Sequence, residues 1–506
     1  MKTNDVTIGL NEVIKYGALE SAATGKVYTL RCLKVIIVLF ILILTTSASA
    51  CGIGAEIQDN YARIIPFDEA GKILSALCEK DPFLKLEIPA HTAVKNLPLY
   101  LVIFNDPGTE NEKKIKVMIM AGIHGNEPAG SLALLKWLEC LTDMNENDRK
   151  FYSENFTFYV IPYLNPEGAV LALEHYIKTN GFWDRTGREN GAGLDCNRDF
   201  RELKSNETVF AVSIFNKYRP HVVIDLHEFS SLPLLVDGEG WWRAKFFDVL
   251  IGAGRHPDAF PPLADYARDV TESSIFPSLA AQGAKGQFYS LPNGSFDSTG
   301  KLGVTGSDYF NLRNALTFLI ETAGYDQGKE TLKKRIYLQK LVLNTILDRL
   351  VKDKSTVLRL IRSSVIFSKK RKKITLRLDK KPIMVNIEGT ESDQYSGTTA
   401  IVINGRTYNF PVKVQFSQGD LEKKITTELP AFYIVLTTDK SFLRVLSLHG
   451  IIFYDKPGYL KNLPAGQYCK AVVVPTSQES SAIAGLIFEQ ATSDTFGTSH
   501  RFIVFK

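Results

Sequence analysis

The stretch VMIMAGIHGNEPAG, residues 117–130, gives the clearest indication of the fold class. Its first half, Val117–Ile123, is an apolar run of strand length, and a glycine-containing turn with polar residues follows it. Helical spacing of apolar residues begins directly after the turn, at Ser131–Leu141 (SLALLKWLECL). A buried strand that leads through a short turn into a helix is typical of α/β proteins.

The same alternation of apolar runs and helical patterns continues from residue 52 to about residue 352. Further predicted strands are FTFYVI, VVIDL and ALTFLI, at Phe156–Ile161, Val222–Leu226 and Ala315–Ile320. Leu332–Val351 has apolar residues at three- and four-residue steps, which predicts a long closing helix. We therefore expect an α/β domain over residues 52–352, with a mostly parallel sheet that helices cover on both faces.

The character of the sequence changes after about residue 352. A basic run, Lys369–Lys373, marks the predicted boundary, and we interpret it as a solvated linker rather than as a nucleic-acid or anionic-membrane patch. A period-2 strand pattern follows at Ile374–Leu378, and Asn404-Gly405 between alternating apolar residues predicts a hairpin. Residues 370–506 are therefore predicted to form a second, β-rich domain.

Composition is that of an ordinary globular protein. The chain has 506 residues, of which 45% are hydrophobic and 23% are charged, and these fractions exclude a disordered, collagen-like or coiled-coil chain. The net charge of +5, from 60 basic and 55 acidic residues, is too weak to indicate a nucleic-acid partner. Composition therefore predicts a globular multidomain protein and says nothing about its chemistry.

Residues 31–51, RCLKVIIVLFILILTTSASAC, stand out from this average. The apolar run Val35–Leu44 is short for a membrane-spanning helix, which needs about 20 apolar residues. With basic residues before it and Ala48-Ser49-Ala50 after it, the run indicates a signal peptide, so residues 1–50 are predicted to be an export segment. A buried core helix is the alternative interpretation.

Cys51 follows the predicted cleavage site directly, as in a bacterial lipoprotein. Simple cleavage, a lipid anchor on Cys51 and an uncleaved membrane anchor are all compatible with the sequence. We therefore expect an exported protein, most simply of a bacterium, that is periplasmic, extracellular or attached to the membrane as a lipoprotein.

Polar residues suited to a zinc site follow two of the predicted strands. His124 and Glu127 lie three residues apart in the turn after the first strand, and His227 follows VVIDL. Ligands bind beyond the carboxyl ends of strands in open α/β sheets, and two His with one Glu is a composition of catalytic zinc sites. The residues therefore predict one Zn²⁺ ion. Asp225 and Glu228 flank His227, and either is suited to orient a ligand imidazole, or both are local structural acids.

Glu321 follows the predicted strand ALTFLI and is expected at the same sheet edge. Zinc lowers the pKa of its bound water to about 7, so a nearby carboxylate can take the proton and pass it to a leaving amine. The segment before His227 adds arginine and amide side chains, at Arg185, Arg188, Asn197 and Arg198. Because arginine matches carboxylates and stabilises oxyanions, we expect a substrate with an anionic end.

These motifs, taken in order, resemble the M14 family of zinc metallocarboxypeptidases over roughly residues 85–350. Four stretches carry the resemblance further: NPEG at 165–168, GLDCNRDF at 193–200, DLHE at 225–228 and RNALTFLIET at 313–322. The resemblance implies an α/β fold with a mixed, mostly parallel sheet between helices, and C-termini of peptides or proteins as substrates. It implies zinc on His124, Glu127 and His227, with Glu321 as general base and acid.

The resemblance also implies roles for the arginine cluster. Asn197 and Arg198 are implied to grip the terminal carboxylate of the substrate, and an arginine upstream of them is implied to polarise the scissile carbonyl. We assign that role to Arg188, because the text from Arg188 to Arg198 resembles a bacterial branch of the family. Arg185 is the alternative.

One feature of the family has no clear match. Many members carry a tyrosine upstream of the catalytic glutamate that closes over the substrate, but Ser298–Lys301 stand at that place. Tyr309 lies too close to Glu321 for a simple match, and Tyr289 lies too far away. The missing tyrosine favours, to a small extent, a zinc-dependent binding protein that has lost turnover.

A second enzyme class also fits the metal motif. HGNE occurs in zinc deacylases related to the M14 family, so a zinc amidohydrolase that acts on N-acyl amino acids or cell-wall peptides is an alternative. The export segment and the DLHE and RNALTFLIET stretches favour the peptidase. The leading hypothesis is therefore an exported zinc metallocarboxypeptidase that hydrolyses the C-terminal peptide bond, with zinc-activated water and a glutamate base.

Overall fold

The computed structural model describes residues 63–230, 235–236, 239–240, 247–254, 256–289, 304–380, 396–403, 406–413, 421–437, 439–457, 470–490 and 502–505. The predicted export segment, residues 1–50, Cys51 and the stretch Ser298–Lys301 lie outside these described residues. The described residues all belong to one compact unit, Ala55–Lys506. Within them, no helix combines the length and the apolar character that a membrane span requires.

The first part of the unit alternates strands and helices. Its strands are β1 (Leu84–His91), β2 (Pro98–Phe104), β3 (Ile115–Ala121), β4 (Phe156–Ile161), β5 (Val222–Phe229), β6 (Leu235–Val236), β7 (Glu239–Gly240), β8 (Val249–Ala253), β9 (Gly286–Phe288) and β10 (Leu316–Ala323). Its helices are α1 (Phe67–Lys80), α2 (Pro128–Thr142), α3 (Glu146–Asn155), α4 (Pro166–Lys178), α5 (Asn206–Tyr218), α6 (Pro261–Val270), α7 (Phe276–Ala281), α8 (Gly306–Leu312), α9 (Leu332–Lys352) and α10 (Lys354–Lys369). Short 3₁₀ turns occur at Asn111–Lys113, Cys196–Arg198 and Tyr325–Gln327, and a π-helical turn spans Thr271–Ile275.

An eight-stranded sheet forms the centre of this part, in the order β1-β2-β4-β3-β5-β10-β8-β9. The central strands β4, β3, β5 and β10 are parallel neighbours. The pairs β1–β2, β2–β4 and β8–β10 are antiparallel, whereas β8 and β9 are parallel. The sheet is therefore mixed but mostly parallel, and the predicted fold class is confirmed.

The central strands place two predicted site residues side by side. Leu226 of β5 and Ile320 of β10 belong to the core that α2 and α9 share with the sheet. Because side chains alternate along a strand, His227 and Glu321 point to the opposite face. They are also register partners across the parallel pair β5–β10. The sheet itself therefore brings the two residues together.

The last part of the unit is rich in strands, as predicted. It contains β11 (Lys373–Lys380), β12 (Ser396–Ile403), β13 (Arg406–Lys413), β14 (Leu421–Glu428), β15 (Phe432–Thr437), α11 (Lys440–Leu448), β16 (Tyr454–Asp455), β17 (Lys470–Pro475), α12 (Ser481–Gln490) and β18 (Phe502–Phe505). β12 and β13 are antiparallel, with Ile403 opposite Arg406, which agrees with the hairpin predicted around Asn404-Gly405. The predicted division into domains at residues 352–370 stays a prediction.

The interpretation as a solvated linker stays a prediction, and four of the five residues of the basic run Lys369–Lys373 are exposed. The run is a short connection that ends α10 and starts β11. The Arg371 guanidinium donates to the carbonyl oxygen of Asp258 at 2.5 Å, and the Thr375 amide donates to the Asp258 carboxylate at 2.7 Å. The run is ordered because it docks on the loop after β8, a long-range contact that composition does not reveal.

Candidate metal centre and active site

His124 and Glu127 lie in the turn that joins β3 to α2. Gly125 lets this turn pack directly on α4, since a β-carbon at this position would lie 2.0 Å from the backbone nitrogen of Ala169. No side chain fits into that space, which explains why glycine stands between the two polar residues. The NPEG stretch at 165–168 starts α4, so the HGNE turn and the NPEG stretch pack against each other.

His124, Glu127 and His227 form a buried cluster whose candidate ligand atoms all lie within 4.8 Å of one another. The Nδ1 atom of His124 is 2.7 Å from Glu127 Oε1, and the Nδ1 atom of His227 is 3.0 Å from Glu127 Oε2. Two imidazole nitrogens and a carboxylate oxygen are the donors that zinc takes in catalytic sites. The three residues therefore fit a zinc ion.

Two aspartates contact the far sides of the imidazoles. Asp195 Oδ1 lies 3.3 Å from His124 Nε2, and Asp225 Oδ2 lies 3.2 Å from His227 Nε2. Such carboxylates fix the orientation and tautomer of ligand histidines and leave the other nitrogen for the metal. Of the two acids that flank His227, Asp225 thus has the orienting position. Asp195 was not singled out from the sequence, although it precedes Asn197-Arg198 in the GLDCNRDF stretch.

Arg188 lies against this cluster, whereas Arg185 is exposed. Arg188 Nη2 is 3.1 Å from Asp195 Oδ2, and Arg188 Nη1 is 3.5 Å from Glu127 Oε1. Burial works against the charged form, but the carboxylates around it, Glu321 included, raise the pKa of Arg188 above its usual value. Arg188, the arginine that the sequence favoured, therefore stays positively charged beside the candidate ligands.

Asn197 and Arg198 sit on the 3₁₀ turn Cys196–Arg198, which Asp195 caps by accepting from the Asn197 amide at 2.9 Å. The Asn197 side-chain oxygen accepts from the Gly306 amide at the start of α8, also at 2.9 Å. Burial opposes ionisation of Asp195, but His124, Arg188 and Arg198 hold its pKa below the usual range. Asp195 therefore contacts both the candidate carboxylate-binding turn and the metal cluster.

Comparison with known proteins agrees with this geometry. Residues 72–231 match the family model described as zinc carboxypeptidase, the M14 peptidases. The chain carries an M14 zinc carboxypeptidase domain. The resemblance inferred from the motifs is thereby confirmed, while the bacterial subgroup stays a prediction.

Proteins similar to this chain are named as carboxypeptidases, in agreement with the family match. Carboxypeptidase 2 of Trichophyton rubrum is 23% identical over 455 residues, which cover 80% of this chain and 77% of that protein. Carboxypeptidase E of Caenorhabditis elegans is 32% identical over 136 residues, or 26% of this chain and 28% of that protein. The crystal structure of a metallo-carboxypeptidase from Burkholderia cenocepacia aligns with a TM-score of 0.43 at 18% identity, over 56% of this chain and 69% of that one. The family match and the names of the sequence relatives support a metallocarboxypeptidase, a hydrolase.

Glu228 has a structural place in the zinc carboxypeptidase domain. It points away from His227, accepts from the Ala129 amide at 2.7 Å and forms a buried ion pair with Arg335 of α9. Arg335 also donates to the carbonyl oxygen of Gly328. Burial raises the pKa of Glu228 even though Arg335 favours its charged form. The Glu228 side chain therefore ties β5 to two helices rather than orienting a ligand imidazole.

Two tyrosines of the described residues, Tyr309 and Tyr325, lie close in sequence to Glu321. Tyr309 is fully buried in α8, and its hydroxyl contacts His449, so it is not available to a substrate. Tyr325, which sequence reasoning missed, begins the turn four residues after Glu321. Burial and then the charge of Glu127 raise the pKa of Tyr325, and the charges of Arg185 and then Arg188 oppose this rise. Its phenol is thus within electrostatic reach of the metal cluster.

Proposed function

We propose that this metallocarboxypeptidase is an exported enzyme that releases residues from the C-termini of peptides and proteins. The observation that carries the proposal is the buried His124–Glu127–His227 donor set with Glu321 in register beside His227. A metal ligand set and a carboxylate on one sheet face are what hydrolysis by activated water needs.

The proposed roles follow from this placement. When bound, zinc supplies the Lewis acid that activates water and polarises the scissile carbonyl. Glu321 is 9% exposed at the sheet edge, where it takes the proton of the attacking water and delivers it to the leaving amine. Arg188 donates to the oxygen of the scissile carbonyl as negative charge develops there.

Asn197 and Arg198 are proposed to bind the terminal carboxylate of the substrate. Both side chains are only partly buried, on a turn that Asp195 and Gly306 hold in place. An arginine fork and an amide donor suit a carboxylate, so the enzyme recognises a free C-terminus and not an internal peptide bond.

Export is the other half of the proposal. Its support is the signal-like segment at 31–51, with the A-x-A site and Cys51 after it. An exported carboxypeptidase acts on peptides outside the cytoplasm, and attachment through a lipidated Cys51 or an uncleaved anchor keeps it at the membrane surface. Labelling of the expressing cells with radioactive palmitate, for wild type and Cys51→Ser, tests lipidation. A label that persists in the variant contradicts the lipid anchor.

Peptide hydrolysis is tested with the full chain and peptides that differ in their last residue, each with a free or an amidated C-terminus. We expect zinc-dependent release of single residues from the free peptides only, followed by mass spectrometry with and without a chelator. Glu321→Gln should lower kcat by about 10²–10⁴-fold, because the general base is lost. Glu330→Gln, which alters an exposed carboxylate, serves as the matched control.

Three results would contradict the proposal. Cleavage of N-acyl amino acids without cleavage of peptides would indicate the deacylase. One bound zinc without any hydrolysis would indicate a binding protein. Equal activity of Glu321→Gln and wild type would show that another group moves the proton.

A further inference from the structure

His449 follows α11 in the C-terminal part and is fully buried. Its Nε2 lies 2.9 Å from the carbonyl oxygen of Arg201, and its Nδ1 lies 3.0 Å from the Tyr309 hydroxyl. Because a carbonyl oxygen only accepts, Nε2 carries a proton, and because burial lowers the pKa of His449 to about 3, the ring carries no second proton and Nδ1 accepts from the hydroxyl. Arg313 donates to the Tyr309 oxygen at 3.0 Å. The imidazole is therefore neutral and links α8 to the backbone at Arg201.

Arg201 lies three residues after Arg198, in a segment that folds around the Asp199 carboxylate. That carboxylate accepts from the backbone amides of Lys204 and Ser205 at 2.9 and 2.8 Å. Helix α8 holds the same segment at two places: its first amide binds the Asn197 side chain, and its tyrosine reaches the Arg201 carbonyl through His449. The candidate carboxylate-binding turn is thus fixed on both sides.

The position of His449 is itself fixed from two directions. The Ser480 hydroxyl donates to the His449 carbonyl oxygen at 3.2 Å. Asn216 of α5 donates to the Leu448 carbonyl at 2.5 Å and accepts from Arg313 at 2.8 Å. The imidazole therefore has little freedom to move, and its hydrogen bond to Arg201 transmits that rigidity to the turn.

We propose that His449 is a positioning residue for the carboxylate-binding turn, so that the C-terminal part completes substrate recognition. This inference rests on the proposed function of Asn197 and Arg198. His449 acts through the backbone of Arg201 and touches no reacting atom. Its loss lets the turn relax, which weakens binding of the free C-terminus while the metal cluster and Glu321 stay in place.

The test compares four variants with wild type in the full chain. His449→Asn keeps a polar group near Tyr309 but is too short to reach Arg201, whereas His449→Gln reaches Arg201. Tyr309→Phe removes the hydroxyl that binds His449 Nδ1. Tyr433→Phe removes a buried hydroxyl that donates to Glu489 at 2.7 Å within the C-terminal part, and is the matched control.

We expect His449→Asn to raise KM for a free-carboxylate peptide by about tenfold with kcat little changed, as the loss of one positioning hydrogen bond predicts. His449→Gln should recover most of this loss, and Tyr433→Phe should equal wild type. Inhibition by acetohydroxamate, which needs only the metal, should be the same in all variants. If His449→Asn does not fold, Tyr309→Phe takes its place, with a smaller rise in KM.

Several outcomes would overturn the inference. Unchanged KM in an active His449→Asn or Tyr309→Phe would show that the bridge does not position the turn. A fall in kcat and zinc content together, or an equal effect in Tyr433→Phe, would indicate general loss of structure. A wild-type chain without carboxypeptidase activity would instead overturn the proposed function.

Discussion

Arg188 and Arg185 are close in sequence but have different surroundings. Arg188 lies among Asp195, Glu127 and Glu321, whereas Arg185 is exposed. The sequence favoured Arg188 only through its similarity to one branch of the family, with Arg185 as the alternative. The structure distinguishes the two, because the Arg188 guanidinium contacts Glu127 and Asp195 whereas the Arg185 side chain is exposed.

Substitution of Arg188 by lysine should lower kcat by about 10²–10³-fold, the usual effect of losing one oxyanion donor. Lysine keeps the charge but not the planar fork that Asp195 holds. Steady-state kinetics on the peptides, with zinc content measured in parallel, checks this prediction. Arg185→Lys is the control and should retain wild-type kcat. A larger loss in the control than in Arg188→Lys would reverse the assignment.

The candidate ligands His124, Glu127 and His227 were predictable because each belongs to a short motif after a strand. Their orienting acids were not, since Asp225 and Glu228 both flank His227 and sequence order does not say which sheet face is which. Only the packing of α2 and α9 on one face decides that Glu228 points into the core. Whether an acid supports a ligand therefore depends on the face of the sheet on which its side chain lies.

At the level of elements, the Glu228–Arg335 pair joins β5 to α9. Both side chains are almost fully buried, so each desolvated charge depends on the other. The same helix also contacts the strand through Gln339, which donates to the His227 carbonyl oxygen at 2.8 Å. Helix α9 thus supports the strand that carries a candidate ligand.

Removal of one partner should cost much more stability than removal of both. Arg335→Leu is expected to lower the free energy of unfolding by about 3–5 kcal/mol, because the Glu228 charge stays buried alone. The double variant with Glu228→Gln should recover part of this loss. Urea denaturation measures both, and Arg359→Leu, at an exposed arginine of α10, should change stability by less than about 0.5 kcal/mol. Equal losses in the two arginine variants would refute a buried pair of this strength.

Elements were predictable where the pattern is local. The strand predicted at Phe156–Ile161 is β4 in full, whereas β5 continues past the predicted end at Leu226 to Phe229. It does so because Phe229 pairs with Ala323 of β10, a partner far along the chain. The contact of Arg371, in the basic run at 369–373, with Asp258 was not predictable for the same reason, since it is not local.

At the scale of the whole molecule, two buried histidines link folding to pH. Burial, and then Arg313, lower the pKa of His449 to about 3, while burial and Lys116 lower the pKa of His221 to about 4. The unfolded chain takes up these protons near pH 6.5, whereas the folded chain resists them. Stability from both residues is therefore fully present above about pH 6.5 and falls as pH drops toward these lowered values.

Each histidine should contribute a slope of up to about 1.4 kcal/mol per pH unit to the unfolding free energy below pH 6.5. We expect His449→Gln to show a shallower decrease than wild type between pH 6.5 and 5, whatever its stability at pH 7.5. Guanidinium denaturation at closely spaced pH values measures the slopes. Parallel slopes for the two proteins would mean that His449 is protonated equally in the folded and unfolded chain.

The bond between His449 and the Arg201 carbonyl spans 248 residues of sequence. On a ribosome that adds about 5–20 residues per second, roughly 12–50 s separate the synthesis of its two ends. A nascent chain therefore has all its candidate zinc ligands before the bridge at His449 can form. A truncated product that ends before α11 would carry the metal cluster without this bridge. The carboxylate-binding turn can therefore be fully positioned only after the last part of the chain has been made.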